Sequence, residues 1–350
     1  MARAKTGGGP GTNQYGIRGQ AKSVSLVPPA PQVVPLLESY RCGQLWLTNC
    51  DEMIHPPHYS HGSHPTNTDM HTLPADEAML RAMTSSRSEI VRSAVAAHIS
   101  APKECLVRLA SDASWRVLQS LATNPDCPAE VLEHLAHKGN PQLTEMVAAH
   151  INMSPDTLAR LAEAPHTTAS LRAEVAYNPH CPPETLRRLG GFPDLKIRAA
   201  VPCNPNCPGP TLERLVGDTH MAVRAQAVSN PSCKPEWLAR VVGHNYEVDV
   251  WMVQNPICPP ELLSKIWYDY QDRIFAHQYV AAHANIPPDL MLEAVRAKEV
   301  AVRTHLAGNI KCSPEILQQL SQDPSVEVRQ AVAGNPSCPE HIRVAAALTL

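Results

Sequence analysis

Residues 178–186 read Asn178-Pro179-His180-Cys181-Pro182-Pro183-Glu184-Thr185-Leu186. The tract Asn-Pro-x-Cys-Pro-x-Glu-x-Leu recurs with starts at Asn124, Asn178, Asn204, Asn230, Asn255, Asn309 and Asn335, and in degenerate form at His98, His150 and His283. Successive starts lie 26, 26, 28, 26, 26, 25, 28, 26 and 26 residues apart. A fixed period of this length marks a chain of supersecondary units that stack on one another. A second pattern precedes each start, seen as Val91-Arg92, Ile197-Arg198, Val223-Arg224, Val302-Arg303 and Val328-Arg329, each followed by an Ala/Val-rich stretch. One unit therefore holds two short amphipathic segments.

In the last complete unit, Asp323-Pro324-Ser325 opens the first helix and Val326, Val328, Ala331 and Val332 are its expected buried stripe. Gly334-Asn335-Pro336 is expected to close it, because Gly and Asn tolerate the left-handed backbone and Pro cannot continue a helix. In Cys181-Pro182-Pro183-Glu184 the prolines suit the first turn of the second helix, where a missing N–H costs nothing, and Glu184 meets the positive end of the helix dipole. Leu186 and Leu189 then face the core. Helices of about eight or nine residues are not stable alone in water, so stacking must hold them. The expected fold is all-α: a superhelical solenoid of about ten 25- to 28-residue repeats, each of two short helices (α and α/3-10).

The repeated tract resembles the leucine-rich repeat variant family. The resemblance covers about three quarters of the chain, and it implies units that combine an α-helix with a 3-10 or second short helix in a superhelix. The spacing here exceeds the family's usual period by about two residues.

Composition agrees with thin layers. Of 350 residues 34 are proline, only two are phenylalanine, and the apolar mass is Leu, Val and Ala. Cys127, Cys181, Cys207, Cys233, Cys258, Cys312 and Cys338 share one repeat position, which Ala101, Met153 and Ile286 occupy in the degenerate copies. A site that exchanges Cys for Ala, Met and Ile is an apolar core site. Cys105 and Cys203 read as further core thiols. The repeated Asn reads either as turn closure or as a row of surface ligands. The repeated Arg (Arg92, Arg172, Arg198, Arg224, Arg303 and Arg329) reads as pairing with turn acids such as Asp218 and Asp323, or as a basic stripe.

Three regions follow. Residues 1–35 form a basic Gly/Pro-rich tail and linker, expected to be disordered, with Arg3, Lys5, Arg18 and Lys22 and no acid before residue 23. Residues 36–71 are a Cys/His-rich segment, expected to cap the repeats at their N-terminal end. Residues 72–350 are the solenoid, opened by a helix over Leu73–Met83 and closed by the apolar run Ile342–Leu350, which either docks back or self-associates into a homo-oligomer. In the Cys/His segment, Cys42 and Cys50 precede His55, His58, His61, His64 and His71. Two thiolates and two imidazoles suit tetrahedral zinc, with Cys42, Cys50, His55, His58, His61 and His64 as candidate ligands. An unmetallated His-rich loop is the plain alternative. The family resemblance implies an N-terminal iron–sulfur cluster in some members. Here only two cysteines precede the repeats, so zinc is the better match.

Tyr246, Trp251, Trp267, Tyr268, Tyr270 and Phe275 crowd into an irregular unit. They form a candidate partner-binding cluster, because Trp and Tyr dominate binding hot spots; core filling is the alternative.

The charge excludes some classes of function. Thirty basic and 33 acidic residues give −3 overall, and residues 72–350 carry 25 basic against 29 acidic. That is no field for duplex DNA. No nucleophile elbow, His-Glu-x-x-His, dinucleotide fingerprint or phosphate loop is present, so the chain does not read as an enzyme. No leader or membrane-spanning run of about 18 apolar residues is found, which points to the cytoplasm and to no membrane partner. The function expected is a non-enzymatic scaffold for a protein partner. Nucleic-acid association through the tail and Cys/His segment, or an iron–sulfur repeat protein, are the alternatives.

Overall fold

The computed structural model describes residues 76–348. The chain divides into two units, Met1–Trp46 and Leu47–Leu350, and the described residues all belong to the second. The tail and the candidate zinc ligands Cys42, Cys50, His55, His58, His61 and His64 lie outside the described residues.

Among the described residues the chain is all-helical, with 21 α-helices in a repeated arrangement and no strand. They are α1 (Glu77–Met83), α2 (Glu89–Ala97), α3 (Lys103–Leu109), α4 (Trp115–Thr123), α5 (Ala129–Ala136), α6 (Pro141–Ala148) and α7 (Pro155–Glu163). Next come α8 (Ala169–Tyr177), α9 (Pro183–Leu189), α10 (Leu195–Ala200), α11 (Gly209–Val216), α12 (Met221–Ser229), α13 (Pro235–Leu238) and α14 (Tyr246–Val253). The last are α15 (Pro260–Asp269), α16 (Ile274–Ala282), α17 (Pro288–Ala294), α18 (Val300–Gly308), α19 (Pro314–Leu320), α20 (Val326–Gly334) and α21 (Glu340–Leu348).

Even-numbered helices pack successively on one another from α2 to α20, and odd-numbered helices lie against their chain neighbours. The order follows from two local signals. Each odd helix from α7 to α19 carries Pro in its first turn, after an extended residue. The even helices from α2 to α20 end on or just before the repeated Asn or His, and the N–H of the third residue beyond returns to the carbonyl of that Asn or His in most units, as in Cys127 to Asn124 and Cys181 to Asn178 at 2.9 Å. That short turn lets the even helix give way to the odd one.

Two expectations need correction. The closing Asn is not left-handed: Asn335 has φ −74° and ψ 118°, and Asn204 −80° and 126°. Extended backbone aims the Asn side chain sideways at the neighbouring unit, where it has work to do. Positive φ occurs instead at Gly139 and Gly243. Nor is Val326 buried; it is 40 % exposed, while Val328 and Val332 are fully buried and Ala331 half-buried. Val326 stands at the first position of α20, on the side away from the stripe.

The core is made of thin Leu, Val and Ala layers, such as Leu121, Leu132, Leu186 and Leu189. Each fully buried Leu contributes roughly 1.5–3 kcal/mol. Neither Phe belongs to it: Phe192 is half-buried beneath the Arg172 guanidinium, and Phe275 is exposed. All seven repeat cysteines are at most 5 % exposed, as are Met153 and Ile286 at the same position. Cys105 is buried, and Cys203 only half so.

The single described 3-10 segment, Val201–Cys203, continues α10 where Pro202 interrupts it, so the 3-10 turn belongs to the first helix of a unit and not the second. The irregular spacings are absorbed beside the odd helices. The 25-residue unit shortens α13 to one turn, and a 28-residue unit extends α15 to ten residues. α21 docks on α20 through Ile342 and Ala346, leaving Val344 and Leu348 exposed. No described helix is long and apolar enough to cross a membrane.

Candidate partner-binding face

The repeated Asn is interior. Asn124, Asn178, Asn204, Asn230, Asn255, Asn309 and Asn335 are each at most 3 % exposed, which overturns the reading of a surface ligand row. Each Nδ2 donates to two backbone carbonyls of the preceding unit, at 2.6–3.3 Å, as Asn204 does to Ala176 and Asn178. Each Oδ1 accepts the N–H two residues on, as from Asn206 at 2.9 Å. The side chain thus closes its own turn and stitches it to the next.

Where His stands instead, the bonding changes. His150 Nδ1 accepts the Asn152 N–H at 3.0 Å, which leaves Nε2 as the donor to the Asn124 carbonyl at 2.8 Å. One donor has replaced two. Asn152 supplies the difference, its Nδ2 donating to Pro125 and Cys127 carbonyls. His283 and Asn285 repeat this arrangement on Asn255, Pro256 and Cys258. His-x-Asn stands at both positions in the sequence, but Asn206 follows Asn204 in the same way and donates to the Pro179 carbonyl, and His98 is followed by Ser100.

The repeated Arg is no open basic stripe. Arg92, Arg198 and Arg303 grip Asp112, Asp218 and Asp323 with Nε and Nη2, while Nη1 donates to two carbonyls of the turn before the helix. Arg172, Arg224 and Arg329 donate to turn carbonyls. The Arg92 guanidinium holds the Asp112 carboxyl below the usual carboxylate range.

The equivalent positions on α14 and α16 hold Asp249 and His277, and the aromatic cluster fills the gap. Asp249 is fully buried; its Oδ2 accepts from Gly243 N–H at 2.8 Å and the Tyr270 hydroxyl at 2.7 Å, while Oδ1 has no partner, and burial pushes the carboxyl up. Gly243 reaches it with φ +83°, and a Cβ there would meet Lys265 Nζ at 3.0 Å. Tyr246 meets Tyr270 edge-on at 5.0 Å beneath Arg273. Trp267 is buried, stacks on His277 at 4.2 Å and donates Nε1–H to Glu293 Oε2 at 2.9 Å. Trp251 is half-buried against the core. Of the six candidate partner-binding aromatics, Tyr268, whose hydroxyl reaches Glu293, and Phe275 stand exposed.

A different surface emerges from the packing. Counting back from the repeated Asn or His, positions −7 and −3 of each even helix are buried in most units, so −8, −5, −4 and −1 share the opposite face. That face is mostly small, hydroxyl or amide: Gln119, Gln142, Gln226, Gln254, Gln278 and Gln330 recur on it. Its charged residues are Arg116, Glu145, Glu174, Lys196, Glu247 and Glu327. The odd helices, by contrast, carry exposed ion pairs such as Lys103–Glu130, Glu184–Arg187, Glu213–Arg240 and Lys265–Asp269. Surface pairs of this kind stabilise little and mark a solvated side. The charge-poor face was missed in the sequence because it lies in the variable columns of the repeat, whereas identical residues draw the eye.

Four of the described repeat thiols are held in the thiol form. Burial pushes Cys127, Cys181, Cys258 and Cys312 up to about 12, far from the thiolate that catalysis or metal binding needs. No group of three or more metal-ligating side chains occurs among the described residues. No family model matches the chain, and no curated protein matches its sequence.

Proposed function

We propose that this chain is a non-enzymatic protein-binding scaffold, a superhelical solenoid of the leucine-rich repeat variant kind, which lays an extended segment of a partner protein along the face of its even helices. The observation that carries this reading is the segregation of charge. Interface cores are depleted in charge and enriched in aromatic side chains, and the even-helix face has this composition, with Tyr177, Trp251, Phe275 and Tyr279 set among amides and small residues. Its Gln side chains can pair with both N–H and C=O of an extended backbone. A nucleic-acid track would need cations along it; at the four face positions of the described residues the Lys and Arg are Arg116 and Lys196. The free buried thiols fit a reducing compartment, which we take to be the cytoplasm.

The test is selection of a displayed random-peptide library on the immobilised full chain. Enriched peptides should lose binding to an Ala222→Arg variant and keep it with Glu184→Arg on an odd helix. Peptides that depend on the odd-helix side, or no enrichment at all, would refute the reading. On sequence grounds the Cys/His segment adds a structural zinc cap held by Cys42, Cys50 and two of His55, His58, His61 and His64. Elemental analysis of anaerobically purified protein should give about one zinc per chain, lost in the Cys42→Ser, Cys50→Ser double variant. A brown chromophore in its place would point to an iron–sulfur cluster.

A further inference from the structure

Arg92, Arg198 and Arg303 share one geometry. In each, Nη1 donates to the carbonyls six and five residues earlier, as Arg303 does to Ala297 and Lys298 at 2.7 and 3.0 Å. These two bonds fix the guanidinium and leave its Nε–Nη2 edge to the next unit. There an Asp 20 residues on closes the fork, with Nε–Oδ2 distances of 2.6, 2.9 and 2.7 Å and Nη2–Oδ1 distances of 3.0, 3.3 and 3.1 Å. The same Oδ1 accepts the N–H two residues beyond the Asp, from Ser114, His220 and Ser325 at 2.8–2.9 Å. Each carboxylate thus meets three donors in a set arrangement.

Arg224 on α12 holds the same pose without the acid. Its Nη1 donates to the Asp218 and Thr219 carbonyls at 2.8 and 3.0 Å, again six and five residues earlier. The unit that follows is the 25-residue one. Twelve residues before its Asn255, where Asp218 and Asp323 stand before Asn230 and Asn335, it carries Gly243, and 20 residues beyond Arg224 it carries His244. Among the described residues Nε and Nη2 of Arg224 have no partner, and neither has the N–H of Asn245, two residues beyond Gly243. Arg224 is half-buried, yet neither nitrogen is sealed from solvent. Asp249 does not close the fork: its Oδ2 is held by the Gly243 N–H and the Tyr270 hydroxyl, and its Oδ1 is bonded to nothing. The other acids at this turn are committed, Asp218 to Arg198 at 2.9 Å and Asp269 to Lys265 at 2.6 Å.

We propose that the Arg224 fork is a binding site for one carboxylate, the aspartate or glutamate side chain of a partner protein, seated at the turn between α13 and α14 as Asp218 is seated on Arg198. The proposal rests on the chain having a protein partner, not on which helix face that partner covers. The ligand class follows from the three closed forks. With Nη1 spent on the turn, the two donors of the remaining edge match the two oxygens of a planar carboxylate. The Asp218 carboxylate, on the residue whose carbonyl Arg224 holds, disfavours a phosphate dianion.

The experiment is a titration of the full chain with N-acetyl-aspartate-N-methylamide at constant ionic strength, read from the Nε–Hε resonances of isotope-labelled arginine. The Arg224 resonance, assigned through its backbone amide and checked by its loss in Arg224→Lys, should report binding about tenfold tighter than the exposed Arg108 and Arg116, the worth of one charge-assisted hydrogen bond to a preset donor. Arg92, Arg198 and Arg303, whose forks are closed, should not respond. N-acetyl-asparagine-N-methylamide should leave Arg224 unmoved, and inorganic phosphate should bind it more weakly than the aspartate. The native chain itself gives the readout, so the result does not depend on how well a variant folds. An Arg224 response no stronger than that of Arg108, or one stronger to phosphate or equal to the asparagine, would overturn the carboxylate site and leave the protein-binding scaffold standing.

Discussion

Replacing Asn230 tests whether the buried Asn column holds one unit to the next. Asn230 Nδ2 donates to the Pro202 carbonyl at 2.6 Å and the Asn204 carbonyl at 3.1 Å, and its Oδ1 accepts the Ser232 N–H at 2.8 Å. Asn204 O also accepts the Cys207 N–H at 3.0 Å, so Pro202 O suffers the greater loss when the amide is removed. Three bonds at about 1 kcal/mol each, with part of the penalty for an orphaned buried carbonyl, give about 3–4 kcal/mol for Asn230→Ala. Asn230→Asp keeps the shape but turns an acceptor toward two carbonyl oxygens, and should cost more than the alanine. Asn230→His should cost less than either, about 1–2 kcal/mol, because the ring restores one donor and keeps the Ser232 contact. Adding Ser232→Asn to the histidine variant should recover about 1 kcal/mol by recreating the His-x-Asn arrangement of His150 and Asn152. The assay is urea unfolding followed by circular dichroism, with native-state hydrogen exchange to localise the loss, since repeat arrays can unfold in stages. An Asn230→Ala cost below about 0.5 kcal/mol, the range of ordinary surface changes, would refute the argument.

Three further outcomes are expected. Burial holds the His150 and His283 imidazoles below their ordinary value, so the unfolded chain binds a proton that the native site refuses: stability present above pH 6.5 should fall as pH drops below it, by up to about 1.4 kcal/mol per histidine per pH unit. His150→Asn should flatten that slope in pH-dependent urea titrations, and an unchanged slope would exclude His150 as its source. Trp267→Ala should cost about 3–5 kcal/mol, because the ring is buried and its N–H is committed, whereas Phe275→Ala should stay within about 0.5 kcal/mol; equal midpoint shifts would contradict this placement. With Cys127, Cys181, Cys258 and Cys312 pushed up to about 12, iodoacetamide at pH 8 should label these thiols at least about 100-fold more slowly in the native chain than in urea, as read by peptide mass mapping.

Much of the fold was readable because it is written in repeated local signals. Cys-Pro-x-Glu starts one helix, Asn-Pro ends the other, and the exchange of Cys with Met153 and Ile286 marks a core site without any coordinates. The pairing of Arg198 with Asp218 and of Arg303 with Asp323 was also accessible, since both partners recur at a constant separation of 20 residues. The aromatic residues were open to two readings. Clustering in sequence suggested a contact surface, yet Trp267, Tyr270 and Tyr246 replace the Arg clasps missing at Asp249 and His277. Sequence proximity does not say which side of a helix meets a neighbour when the unit is irregular.

The sequence by itself determined the period, the two-helix unit and the apolar columns, because helix starts, helix stops and buried stripes depend on residues a few positions apart. Only the tertiary structure decided what the conserved-looking polar columns do. Asn204 donates to carbonyls 26 and 28 residues away, and the face of the even helices exists because α6, α8, α10 and α12 lie side by side. Hydrogen bonding and desolvation are properties of neighbours in space, and in a stacked chain the neighbour that matters is one whole unit away.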